Sequence, residues 1–150
     1  MNHQPFGRFI DMAVASGTPL PPGTFTITPE ENRRLAGVLG ADPEDTTAHP
    51  LWAYVATQRG IGIGVADLCA LADFDVADGP MLGSVDMELR APLAVGVEYR
   101  VTGEVLSIVR KEGRKTGPFD IMTYRERLLD GDGAEVVSTT NTFILPRRAA

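Results

Sequence analysis

The sequence is short of cysteine, histidine and long apolar runs, and each shortage removes a class of protein. Its one cysteine, Cys69, excludes an internal disulfide. With only two histidines, His3 and His49, no Cys/His cluster has the spacing of a structural zinc site. The longest apolar stretch, Ile61 to Leu71, is interrupted by Asp67 and by glycines, well below the roughly 20 apolar residues that cross a bilayer. Met1 to Ile10 is too polar for the apolar core of a signal peptide. Basic residues are outnumbered: 14 Lys and Arg stand against 20 Asp and Glu, a net charge of −6, and the basic ones fall in short clusters rather than a stripe. Nucleic-acid binding and a polybasic membrane anchor are disfavoured on that ground. The expectation is a cytoplasmic protein with no metal and no cofactor.

What is present suits one ordinary core. At 150 residues and 43% hydrophobic content, a chain of this size buries roughly 70% of its unfolded surface. The expected division is 1–23 and 24–150. The first part holds a short helix or arm over Phe6 to Ala15 and a stiff, three-proline connector from Thr18 to Gly23, and the second is a single domain. Thr24 to Ile27 has the alternation of a short strand. Thr28-Pro29-Glu30-Glu31 then combines an N-cap threonine, a proline at the first helical position and a glutamate three residues after the cap. That pattern predicts a helix from Pro29 to about Leu39, with Leu35, Val38 and Leu39 on one face and Gly40 ending it.

From Pro50 to about Ala72 there is no further proline, and Ile61, Val65, Leu68, Cys69 and Ala72 form a helical stripe, so a long buried helix is expected. Gly60, Gly62 and Gly64 interrupt it at about 1 kcal/mol each relative to alanine. Either the helix breaks there or something packs close to its backbone. Alternation of period two then takes over. It predicts four strands, over Ser84 to Arg90, Val97 to Val109, Phe119 to Leu129 and Ala134 to Leu145. A charged loop from Lys111 to Pro118 and a tight turn at Asp130-Gly131-Asp132-Gly133 separate the last three. The layout is α+β, a curved antiparallel sheet wrapped around a long central helix.

Several stretches in that order resemble the hot-dog superfamily, and within it the MaoC-like (R)-specific enoyl-CoA hydratases and dehydratases and their non-catalytic half-domains. Thr28 to Glu31 through Gly40-Ala41-Asp42-Pro43 is similar to the family's opening helix and following turn. Ala48-His49-Pro50 is similar to the start of its central helix, and Ser84 to Leu93 followed by Gly96 to its strand and Pro-containing turn. Asp132-Gly133 with Val136-Val137 is similar to its last hairpin. The resemblance implies an acyl thioester, held by CoA or an acyl carrier protein, to which water is added or from which it is removed. In that chemistry a carboxylate and an imidazole orient water while a helix-start amide polarises the thioester carbonyl. It also implies pairing with a second hot-dog chain, identical or different.

The residues that would carry this are His49, Asp45 and Asp42 as acid/base groups, and Leu51, Trp52, Tyr54, Gly60 and Gly64 along the acyl site. The sequence departs from the family pattern, because Ala41 or Asp42 stands where the aspartate belongs and Asp45 near the place of the histidine. Pro50 has no N–H, which leaves Leu51 or a later amide as the donor to the thioester oxygen. Each residue also has a purely structural alternative. His49 would bond the loop at the helix start, Trp52 and Tyr54 would fill core or a subunit interface, and the glycines would mark close approach of helix and sheet. Asp67 is a candidate thioesterase carboxylate or a boundary residue on the wetter side of the helix. Arg110-Lys111 and Arg114-Lys115 are candidates for CoA phosphates or an acidic carrier protein, or else a solvated loop. Three functions stay open: a hydratase/dehydratase, a non-catalytic subunit that completes the acyl tunnel of a partner, and a thioesterase using Asp67.

Overall fold

The computed structural model describes residues 17–147. The expected helix over Phe6 to Ala15 lies outside them. Five strands form one antiparallel sheet: β1 (Thr18–Thr26), β2 (Met81–Leu89), β3 (Glu98–Gly113), β4 (Gly117–Leu129) and β5 (Glu135–Pro146), in the spatial order β1-β3-β4-β5-β2. Helices α1 (Pro29–Val38), α2 (Trp52–Gly60) and α3 (Val65–Ala70) precede β2, and a single 3-10 turn, Val76–Asp78, follows α3. The buried side of α2, with Trp52, Ala53, Ala56, Thr57 and Gly60, faces the alternate inward residues of the sheet, among them Val101, Tyr124, Leu128 and Val137.

The segment from Thr18 to Gly23, expected as a connector, is instead the first part of β1 and pairs with β3. Pro19, Pro21 and Pro22 are tolerated because β1 is an edge strand, where a missing N–H on the open side leaves no ladder bond unmade. The register slips between Leu20 and Gly23, as a bulge accommodating the Pro-Pro pair would require.

α1 begins as the sequence predicts. The Thr28 hydroxyl accepts from the Glu31 N–H at 3.1 Å, and the Glu31 carboxylate accepts from the Thr28 N–H. Its inward face differs from the expected one, since Val38 is 81% exposed and the buried positions are Asn32 and Ala36. The expected long helix is two short ones. α2 stops at Gly60, and the chain is extended at Ile61 before α3 starts at Val65. Both alternatives raised by the glycines hold here. A side chain on Gly60 would collide with Val101 and Phe25, one on Gly62 with the Pro21 and Pro22 carbonyls, and the Gly62 N–H donates to Pro21 O at 2.9 Å. The glycine segment is thus held against the proline bulge of β1, and the helix cannot continue through it.

The four later strands form where alternation places them. The Lys111 to Pro118 loop, however, contracts to 114–116, because β3 runs on to Gly113 and β4 starts at Gly117. At the next turn the Asp130 carboxylate accepts from the N–H groups of Asp132 and Ala134, and Gly133 takes a positive φ of 81°.

Candidate functional site

The loop between α1 and α2 and the loop after β2 are stitched together. Ala48 N–H donates to Leu93 O, Val95 N–H to Thr46 O, and Thr47 bridges Ala94. The buried Tyr99 hydroxyl accepts from the Ala94 N–H at 2.8 Å and fixes the second loop to β3. Between these loops and α1 lies a cavity of about 520 Å³, within the size range of small-molecule sites. Asn32, Asp42, Glu44, His49 and Pro50 line one side, and Leu89, Arg90, Pro92 and Leu93 the other.

Asn32, which the sequence reading missed, organises the mouth. Its side chain is buried, donates to Glu44 O at 3.0 Å and accepts the His49 N–H at 2.9 Å, fixing both ends of the loop on α1. The available signal was an amide on the same helical face as Ala36, three to four residues along from the N-cap. His49 is half-buried. Its Nδ1 accepts the Leu51 N–H at 3.1 Å, so the neutral ring carries its proton on Nε2, the nitrogen left for the cavity.

This cap has a chemical consequence. Trp52 N–H bonds His49 O, Ala53 N–H bonds Pro50 O, and the amides of Tyr54 and Val55 bond Leu51 O. With Pro50 lacking an N–H and Leu51 committed to the imidazole, every amide in the first turn of α2 already has an acceptor. The expectation that Leu51 donates to a thioester oxygen is therefore corrected.

Of the expected site residues, the cavity brings together His49 and Asp42. Asp45 points elsewhere, with an 87% exposed side chain 4.0 Å from Arg33. Trp52 is core, its ring 5.8 Å from that of Phe25. Leu51 and Tyr54 are half-buried outside the lining, and Gly60 is buried under Val101. Gly64 is exposed, the N-cap of α3 with open space around it, and Asp67 is exposed in the first turn of that short helix. Trp52 and Gly60 belong to helix–sheet packing, and the splitting of the helix is what carries Gly64 and Asp67 away. Arg110 is tied to Asp120 at 2.7 Å, while Lys111, Arg114 and Lys115 are exposed.

A second polar group lies beneath α2. Glu126, 1% exposed, accepts from Gln58 Nε2 at 3.0 Å, and the Tyr124 hydroxyl donates to Gln58 Oε1 at 3.2 Å. Burial pushes the Glu126 carboxyl up to about 7, against the opposing pull of the Thr57 hydroxyl. Burial first, and the charge of Glu126 second, raise both Tyr124 and Tyr54. Among the described residues, Asn141 Oδ1 and Trp52 Nε1 are buried without a partner. The sequence signal for this cluster was the alternation of β4, which sets Asp120, Met122, Tyr124, Glu126 and Leu128 on one face. Among the described residues no three His, Cys, Asp or Glu side chains are grouped to hold a metal, and no helix is long and apolar enough to cross a membrane.

The sequence matches no family model and no curated protein. Its structure is similar to solved hot-dog proteins. The ChsH1–ChsH2 complex of Mycobacterium tuberculosis gives a TM-score of 0.70 at 15% identity over 93% of this chain and 90% of the other. The C-terminally truncated HadBC complex, a 3R-hydroxyacyl-ACP dehydratase of the same organism, gives 0.63 at 17% identity over 86% and 96%. A MaoC-like dehydratase of Rhodospirillum rubrum gives 0.57 at 19% identity over 96% and 100%. The chain has the hot-dog fold.

Proposed function

Starting from that fold, we propose that this chain is one subunit of a cytoplasmic acyl-thioester hydratase/dehydratase assembly. In this reading it walls the acyl pocket, and a second hot-dog chain supplies the reactive pair. The observation that carries the proposal is the closed first turn of α2. A thioester carbonyl needs a free donor where negative charge develops, and here the Leu51 amide is held by His49 and the amides after it by their own helix. Asp45, one of the two carboxylates expected at the site, turns toward Arg33 and supports the same reading. Two of the structural neighbours are themselves complexes named for two chains, HadBC and ChsH1–ChsH2. A hot-dog fold does not by itself name a reaction, so the substrate class rests on this combination.

A second reading has its own support. His49 and Asp42 line one cavity, and among the described residues Nε2 of the ring has no partner. A chain able to release the Leu51 amide would hydrate an enoyl thioester by itself, with His49 moving the proton. The test is hydration of a short trans-2-enoyl-CoA by this chain alone, by a catalytic hot-dog partner alone, and by the two mixed. The subunit proposal expects turnover only in the mixture, and His49→Ala should leave that turnover within about threefold. Full turnover by this chain alone, lost at least about a hundredfold in a folded His49→Ala variant, would establish the second reading instead. Release of thiol from a saturated acyl-CoA would overturn both in favour of a thioesterase.

A further inference from the structure

The groups packed around Glu126 bring it polar atoms but no charge. Its neighbours across the sheet are Gly103 on β3 and Thr139 on β5, and α2 brings Thr57, Gln58 and Tyr54 to it. The titratable groups that face it are Tyr54 and, on its own strand, Tyr124, with the Cys69 thiol of α3 within electrostatic reach of Tyr124. Burial raises all three, so each stays neutral around pH 7. Gln58 Nε2, at 3.0 Å, is a neutral donor. One such bond suits a protonated carboxyl and falls short of what a buried carboxylate needs.

The Thr57 hydroxyl is the group able to make up the shortfall. It is fully buried and close enough to pull on the Glu126 carboxyl, and it has one hydrogen to give. In the structure it bonds back into its own helix, to Tyr54 O at 2.8 Å and Ala53 O at 3.1 Å. Its oxygen already has a donor, because Thr139 Oγ1, which itself accepts from Asn141 Nδ2 at 3.4 Å, donates to Thr57 Oγ1 at 3.5 Å. Only the Thr57 hydrogen is left to change partner. A hydroxyl bonded back to a carbonyl one turn earlier bends a helix. The two carbonyls concerned belong to the first turn of α2, where the Tyr54 and Val55 amides bond Leu51 O.

We propose that Thr57 is a hydroxyl switch operated by the proton on Glu126, and that it sets the shape of the first turn of α2. With the carboxyl neutral, the hydroxyl bonds the Tyr54 carbonyl and holds the bend. When the proton leaves for solvent, the hydroxyl turns to the carboxylate as its second donor, the Tyr54 carbonyl loses that bond, and the turn relaxes. One proton is lost and one hydrogen bond changes acceptor. The carboxyl is raised to about 7, which puts the change near neutral pH. The inference concerns this helix alone and rests on neither functional reading. It makes the turn that closes on the Leu51 amide, over which the two readings divide, sensitive to pH.

Carbon NMR of the full chain across neutral pH tests it, reading the Glu126 side-chain carboxyl and the Tyr54 main-chain carbonyl together. In the wild type both signals should move with one midpoint, near 7. Thr57→Val keeps the shape and removes the hydroxyl. It should raise the Glu126 midpoint by at least about half a pH unit, because the charged form loses a donor, and cut the Tyr54 response by at least about threefold. Thr57→Ser, which keeps the hydroxyl, should retain both responses, and Glu126→Gln should abolish that of Tyr54. Fluorescence of Trp52, the single tryptophan of the chain, shows that each variant is folded with α2 in place. A Tyr54 carbonyl that stays still while Glu126 titrates, or that responds undiminished in Thr57→Val, would overturn the switch. So would a Glu126 midpoint at the ordinary value of 4.5.

Discussion

Asp120 and Glu126 stand six residues apart on the same face of β4, one fully buried and the other 1% exposed, and their acidities move in opposite directions. Burial alone would raise both. At Asp120 it is outweighed, because Arg110 and Arg147 each bond the carboxylate and hold it below the usual carboxylate range. At Glu126 the bonded partner is the neutral amide of Gln58, and the carboxyl rises to about 7. Strand, face and solvent exclusion are shared, so what separates them is the arrival of cations. Arg147 also bonds the carbonyls of Ala72 and Asp73 and lies over the Phe74 ring, so the Asp120 cluster ties the segment after α3 to the sheet. One end of the sheet is locked by a satisfied charge, and the middle, beneath α2, carries a carboxyl that stays neutral at mild pH.

The largest effect expected from this contrast belongs to Asp120→Asn. It leaves two guanidiniums facing a neutral amide, and breaking a buried pair in this way costs about 3–5 kcal/mol. The lower end applies, since the Arg110 and Arg147 side chains keep 38% and 19% exposure and can turn to water. Urea unfolding at pH 7 measures it. An effect below about 1 kcal/mol would mean that the cluster does not lock this end of the sheet. The same variant should be less sensitive to acid than the wild type. A depressed carboxyl contributes stability above its unfolded value near 3.8, and that contribution is lost as pH falls through the folded value.

Glu126→Gln is expected to act second and with the opposite slope. A raised carboxyl binds its proton more tightly in the folded state, so its contribution is fully present below the unfolded value of 4.5 and is lost as pH rises through about 7. At pH 8 the neutral amide should therefore be the more stable form, by up to about 3 kcal/mol as the shift converts, and the two proteins should converge near pH 4.5. Unfolding free energies across pH 4.5–8 read this directly. Parallel curves for wild type and variant would show that Glu126 does not titrate as a buried, cation-free carboxyl.

How much of this was legible in the sequence follows the range of the interactions. Local signals held: the Thr28 to Glu31 cap, the Asp130 to Gly133 turn and the alternation of β3, β4 and β5 all depend on neighbours within a few residues. The glycine interruption was readable as a break or a close contact, but not that the contact is the Pro21 carbonyl, forty-one residues upstream of Gly62. Composition misled at Thr18 to Gly23, where three prolines suggested a connector and edge position made a strand possible. The site was half legible. His49 and Asp42 reach the cavity, whereas Asp45 turns away and Asn32 was overlooked because its partners, Glu44 and His49, lie 12 and 17 residues along the chain. The split of the central helix moved Gly64 and Asp67 off the helix that was to carry them.

The smallest expected effect separates the two cations of the Asp120 cluster. Arg110 makes two bonds to the carboxylate, at 2.7 and 3.1 Å, but its side chain is 38% exposed and among the described residues it bonds no other side chain. Arg147 is less exposed and spans Asp120, two main-chain carbonyls and an aromatic ring. Arg110→Gln should therefore cost about 1 kcal/mol, less at high salt, as for a half-exposed ion pair, and Arg147→Gln clearly more, with little salt dependence. Unfolding in urea at two salt concentrations distinguishes them. Equal losses would place the lock in the charge on Asp120 alone, whereas the structure puts it in the bridge that Arg147 makes from that charge to the end of α3.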